Sequence, residues 1–114
     1  MERLLLIGDC AFGISFFKLK VYSEQIKTYM ISEREVQFRA GDEFVKVEAV
    51  NNIIREFNEE ERKFISYENP KILMITYSDK EFLKVVLTDE ELPEGLFVDD
   101  LGKVVELKDF ISKL

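Results

Sequence analysis

A thiol between two glycines, in Gly8-Asp9-Cys10-Ala11-Phe12-Gly13, has a residue type and setting suited to chemistry. Backbone amides in such a loop can cradle an anion or lower a thiol pKa. A thiolate nucleophile needs a base to activate it, however, and the chain contains no histidine. A phosphate-binding cysteine loop would place an arginine six residues further on, where this chain has Phe16. The outer glycines also match the spacing of a phosphate loop, but Ile14 and Ser15 stand where its lysine and hydroxyl belong. Cys10 is therefore read as a small buried thiol beside a turn. A lone cysteine can close no internal disulfide and no cysteine zinc site, which fits a reducing compartment.

Carboxylates offer a second chemistry. Asp89, Glu90, Glu91, Glu94, Asp99 and Asp100 form a run with no lysine or arginine among them. Adjacent carboxylates repel one another, and a basic protein surface would relieve that repulsion. Calcium is a poor fit, since Asp99-Asp100-Leu101-Gly102 lacks the alternating oxygen ligands and distal glutamate of a calcium loop. Asp99 or Asp100 followed by Glu106-Leu107-Lys108 resembles the site pattern of metal-dependent nucleases, whose carboxylates hold magnesium while a lysine steadies developing charge. Glu61-Arg62-Lys63 repeats the Glu-x-Lys spacing in a segment read as helical, so chance supplies the motif easily in this chain.

Ten Phe and four Tyr are more aromatics than a nucleic-acid platform explains, because the basic neighbours such a platform needs are reduced to Lys18 and Lys20. Most rings are expected in the core. The apolar phase changes between Phe16 and Phe17, so one of the pair is expected to face outward as an anchor for a partner chain.

The whole chain bounds these options. Its 114 residues, 46% hydrophobic and 34% charged, suit one domain over residues 1–114 with a core adequate without disulfides or metal. The net charge of −7 opposes binding to phosphate backbones or anionic lipid. Residues 58–114 carry −6 of it, with eight basic and fourteen acidic side chains. No apolar run approaches the ~20 residues a membrane helix needs, so a cytoplasmic protein is expected. Scarce Asn and Gln beside abundant Lys and Glu hint at a thermophilic bias.

The elements that must position these residues follow from periodicity. Arg3 to Gly8, Ile14 to Tyr22, Gln25 to Ser32, Glu35 to Ala40 and Phe44 to Val47 read as antiparallel strands, the third and fourth half-buried, with a turn at Gly41. Val47, Val50, Ile53, Ile54 and Phe57 line a helical stripe; either Asn58 with Glu61 caps a second helix carrying Phe64 and Ile65 or the first helix runs on to about Tyr67, and Asn69-Pro70 ends it in either case. Ile72 to Tyr77 and Phe82 to Thr88 read as a hairpin through Ser78-Asp79-Lys80, its first strand covered on both faces. Thr88 to Glu91 has a capping pattern for a short helical turn, and a last hairpin of Leu96 to Val98 and Lys103 to Glu106 precedes a helix bearing Leu107, Phe110, Ile111 and Leu114.

The expected fold is α+β: an antiparallel β-meander packed on a central helix, with a C-terminal hairpin and short helix; a partly closed barrel with attached helices is the alternative. The expected function is a non-catalytic protein-interaction module, a small acidic adaptor, chaperone or inhibitor that forms a homodimer and meets a basic partner surface. Phe16, Phe17, Asp89, Glu90, Glu91, Glu94, Asp99 and Asp100 are its contact candidates. No cofactor or metal is expected, and neither is a nucleic acid or membrane partner. The alternative is a magnesium-dependent nuclease-like enzyme using Asp99 or Asp100, Glu106 and Lys108.

Overall fold

In a computed structural model of the chain, the residues described are 2–9, 12–14, 17, 26–50, 71–89, 92, 94–100 and 103–114. They form strands β1 (Glu2–Gly8), β2 (Lys27–Ser32), β3 (Glu35–Ala40), β4 (Glu43–Val50), β5 (Lys71–Tyr77), β6 (Phe97–Asp100) and β7 (Lys103–Glu106). Two helices, α1 (Lys80–Asp89) and α2 (Leu107–Ser112), complete the described elements, an α+β arrangement of mostly antiparallel sheet. The strands lie in one sheet in the order β2-β3-β4-β5-β1-β6-β7.

Period-two alternation builds the core. Val36 and Phe38 of β3, Val45 and Val47 of β4, Leu73, Ile75 and Tyr77 of β5, Leu4 and Leu6 of β1 and Val98 of β6 share one face and one buried cluster. Phe82, Leu83, Val86 and Leu87 of α1 belong to the same cluster, and Leu107, Phe110, Ile111 and Leu114 pack against it as expected of the C-terminal stripe. This is the helix face. On the opposite face Ile7 and Ile72 form a smaller buried cluster with Leu5, Val50 and Phe97 around it. The apolar run 72–75 thus sits in a central strand with buried residues on both faces, as its sequence implies.

Two glycines have structural duties. Gly41 adopts φ 61° in the tight β3–β4 turn, a conformation strained for residues with a Cβ. A Cβ on Gly8 would lie 2.6 Å from the Phe12 side chain, which packs directly on the backbone at the end of β1.

Several expectations are corrected. Phe82 to Thr88 is helical: Asp79 caps α1 by accepting a hydrogen bond from the Phe82 amide at Oδ2 (3.1 Å), so Ser78-Asp79 starts a helix where a hairpin turn was read. Its buried residues, 82, 83, 86 and 87, follow helical spacing. Thr88 lies in the last turn of α1, its hydroxyl donating to the Lys84 and Val85 carbonyls at 2.8 and 3.2 Å, so it does not begin a new helical turn. Val47 to Val50 continue β4, because Val47, Ala49 and Val50 pair with Ile75, Leu73 and Ile72. The remainder of the expected central helix, residues 51–57 and its continuation, lies outside the described residues, as do Cys10 and most of the strand expected from Ile14 to Tyr22. Ile14 and Phe17 themselves form a turn closed by a 3.0 Å backbone hydrogen bond. β2 is exposed along most of its length, where half-burial was expected; among the described residues it is an outermost strand with β3 as its sheet neighbour.

Candidate functional site

The order of the sheet brings the far ends of the sequence together. Tyr77 closes β5 opposite Glu2, which opens β1, and Asp100 of β6 pairs with Lys103 of β7. A hollow of about 730 Å³ opens at this end of the helix face, lined by Glu2, Tyr77, Lys80, Asp100, Lys103 and Lys113, with Arg3 at its rim. Val105, Phe110 and Leu114 supply its apolar wall. Each polar side chain is aimed by an ordinary cause: strand alternation for Glu2, Tyr77, Asp100 and Lys103, the first turn of α1 for Lys80, and the end of α2 for Lys113.

Tyr77 is 3% exposed. Burial, then a hydrogen bond donated to the Glu2 carboxylate, then the negative charges of Glu2 and Asp100 all push its phenol pKa above the ordinary value. The phenol therefore stays protonated and acts as a fixed donor that orients Glu2.

A second hollow, about 570 Å³, lies between the end of α1 and the start of α2 and is lined by Leu87, Leu92, Glu94, Leu96, Glu106 and Lys108, among others. Here Lys108 pairs with Glu106 at 3.6 Å, both side chains well exposed. On the opposite face of the sheet, Gln37 donates to Glu35 (2.8 Å), Arg39 donates to Gln37 (3.1 Å) and Lys46 pairs with Glu48 (3.0 Å). That face carries an internally paired polar ladder.

The residues singled out by sequence are scattered. Phe17 is 2% exposed and packs on Phe38 with ring centroids 6.3 Å apart, so it offers core and no contact surface. Phe16, Glu90 and Glu91 lie outside the described residues, and Asp89 is the last residue of α1. Glu94 is exposed beside the second hollow. Asp99 is buried on the opposite face, between Leu5 of β1 and Val104 of β7. Asp100 lines the first hollow, whereas Glu106 and Lys108 line the second. The acid and the Glu-x-Lys pair thus open into different cavities, and among the described residues no group of three metal-ligating side chains is assembled.

The structure also displays what the sequence reading passed over. Tyr29, Met30 and Ile31 of β2 are 44%, 62% and 55% exposed, consecutive apolar residues on an outermost strand. The lysines of the first hollow come from three separate elements, so no local motif announces them. Among the described residues no helix is long and apolar enough to cross a membrane. No family model matches the chain, and no curated protein and no solved structure is significantly similar to it.

Proposed function

We propose that the protein is a non-catalytic interaction module that self-associates through the outer edge of β2. The observation that carries this reading is the exposed Tyr29-Met30-Ile31 stretch on a strand that, among the described residues, is outermost in the sheet. An outer strand bearing exposed apolar side chains is a template for another strand.

The occupant we infer is a second copy. Two β2 strands set antiparallel about Met30 place Tyr29 opposite Ile31 of the second copy and Thr28 opposite its Ser32. The same register sets Lys27 against Glu33 of the second copy, so opposite charges meet at both ends. The pairing to β3 shifts between Met30 and Ser32, an irregularity that shortens the ladder an added strand can make. Side-chain contact must then contribute as much as backbone pairing. Of the acidic run, Glu94 and Asp100 line different hollows, so the reading rests on β2.

Multi-angle light scattering tests it. A dimer at tens of micromolar protein is expected, and Met30→Lys, which sets like charges across the two-fold axis, should yield a monomer. Lys27→Glu should weaken the dimer, and adding Glu33→Lys should restore it. A wild-type monomer at about 100 μM, or a dimer indifferent to Met30→Lys, would overturn the reading.

A further inference from the structure

The protein carries a net charge of −7, yet the hollow beside Tyr77 gathers Lys80, Lys103 and Lys113 against Glu2 and Asp100, a local excess of one positive charge. None of these three lysines makes an ion pair among the described residues. Lys108 in the neighbouring hollow, by contrast, already has Glu106. Lysines converging on one hollow repel one another, and a bound anion relieves that repulsion.

We propose that this hollow binds a small organic phosphate with hydroxyl groups and an apolar body, of the size and chemistry of a nucleoside monophosphate. Three features of the lining correspond to three parts of such a ligand. The lysines meet the phosphate dianion, as ammonium groups do elsewhere. Glu2 and Asp100 are acceptors for ligand hydroxyls, and the Tyr77 hydrogen bond holds Glu2 in position for that task. Val105, Phe110 and Leu114 form a wall on which a flat apolar group can lie. The volume, about 730 Å³, falls in the range of small-ligand clefts. A bare phosphate would use the cations and leave acceptors and wall idle; a neutral nucleoside would do the reverse. The proposal is independent of β2, which lies at the other end of the sheet.

Isothermal titration of the full chain with adenosine monophosphate, adenosine and inorganic phosphate at low salt tests the assignment. Adenosine monophosphate is expected to bind with Kd below about 1 mM, with the other two at least about tenfold weaker. Raising salt should weaken it. Lys103→Glu, at an exposed turn position, should reduce affinity on the order of tenfold, and Lys113→Ala by a smaller factor, with circular dichroism confirming the fold. Lys108→Glu, in the other hollow, should leave binding unchanged. No heat with millimolar adenosine monophosphate, equal affinity for adenosine, or binding insensitive to Lys103→Glu would overturn the proposal.

Discussion

The two ends of the sheet differ in what they leave open. At one end β2 has six residues, most of them exposed, with Tyr29, Met30 and Ile31 in its middle and Lys27 and Ser32 at its ends. At the other end β7 has four residues and is followed directly by α2, whose Phe110 and Lys113 hang over a hollow rimmed by charge. An uncovered edge offers backbone groups and apolar surface, which suits another polypeptide. A helix folded back over strand ends creates concavity, where fixed charges can converge on something small. On the readings proposed above, one end of the sheet takes a second chain and the other a small molecule.

The strongest test of that contrast is the core both ends share. Leu83 of α1 is fully buried between helix and sheet, so Leu83→Ala should cost about 2–5 kcal/mol in denaturant unfolding and degrade self-association and ligand binding together. Next in size is the separation of the ends. Met30→Lys should weaken the dimer at least about tenfold while leaving titration with adenosine monophosphate unchanged, and Lys103→Glu should do the reverse. If either variant moves both readouts, the ends are coupled and the contrast fails.

Alkaline pH probes Tyr77 when the wild type is compared with a variant that lacks its phenol. The raised pKa of Tyr77 means that the folded state retains a proton which the unfolded chain releases near pH 10. Stability from this group is complete below pH 10 and is lost as pH rises, by up to about 1.4 kcal/mol per pH unit. Unfolding midpoints of Tyr77→Phe should accordingly fall less steeply above pH 10 than those of the wild type. Smaller still, Asp79→Ala removes the cap on α1 and should cost about 1 kcal/mol. Val85, 38% exposed on the same helix, should change stability by less than about 0.5 kcal/mol when replaced by alanine.

Legibility in the sequence followed how local each signal was. The last hairpin and the helix after it could be read because alternation, turn residues and the stripe Leu107, Phe110, Ile111, Leu114 all lie within twenty residues. Phe82 to Thr88 was misread because Val85 and Val86 favour strands, while the pairs 82–83 and 86–87 carry the helical period over barely two turns. Asp79 was the missing cue, a helix cap that also looks like a turn residue. A break in alternation suggested that one of Phe16 and Phe17 is a surface anchor; Phe17 packs its ring against Phe38, and Phe16 lies outside the described residues.

Composition, charge and periodicity were enough to determine an acidic α+β chain with an antiparallel sheet and an apolar C-terminal helix face, because those properties depend on neighbours along the chain. Tertiary structure alone decided that β1 enters between β5 and β6 and that β2 is left at the rim. It alone gathered Glu2, Tyr77, Lys80, Asp100, Lys103 and Lys113 around one hollow while sending Asp99 to the other face. The physical reason is that strand order is set by burying apolar faces across distant segments, a global condition that no window of the sequence contains.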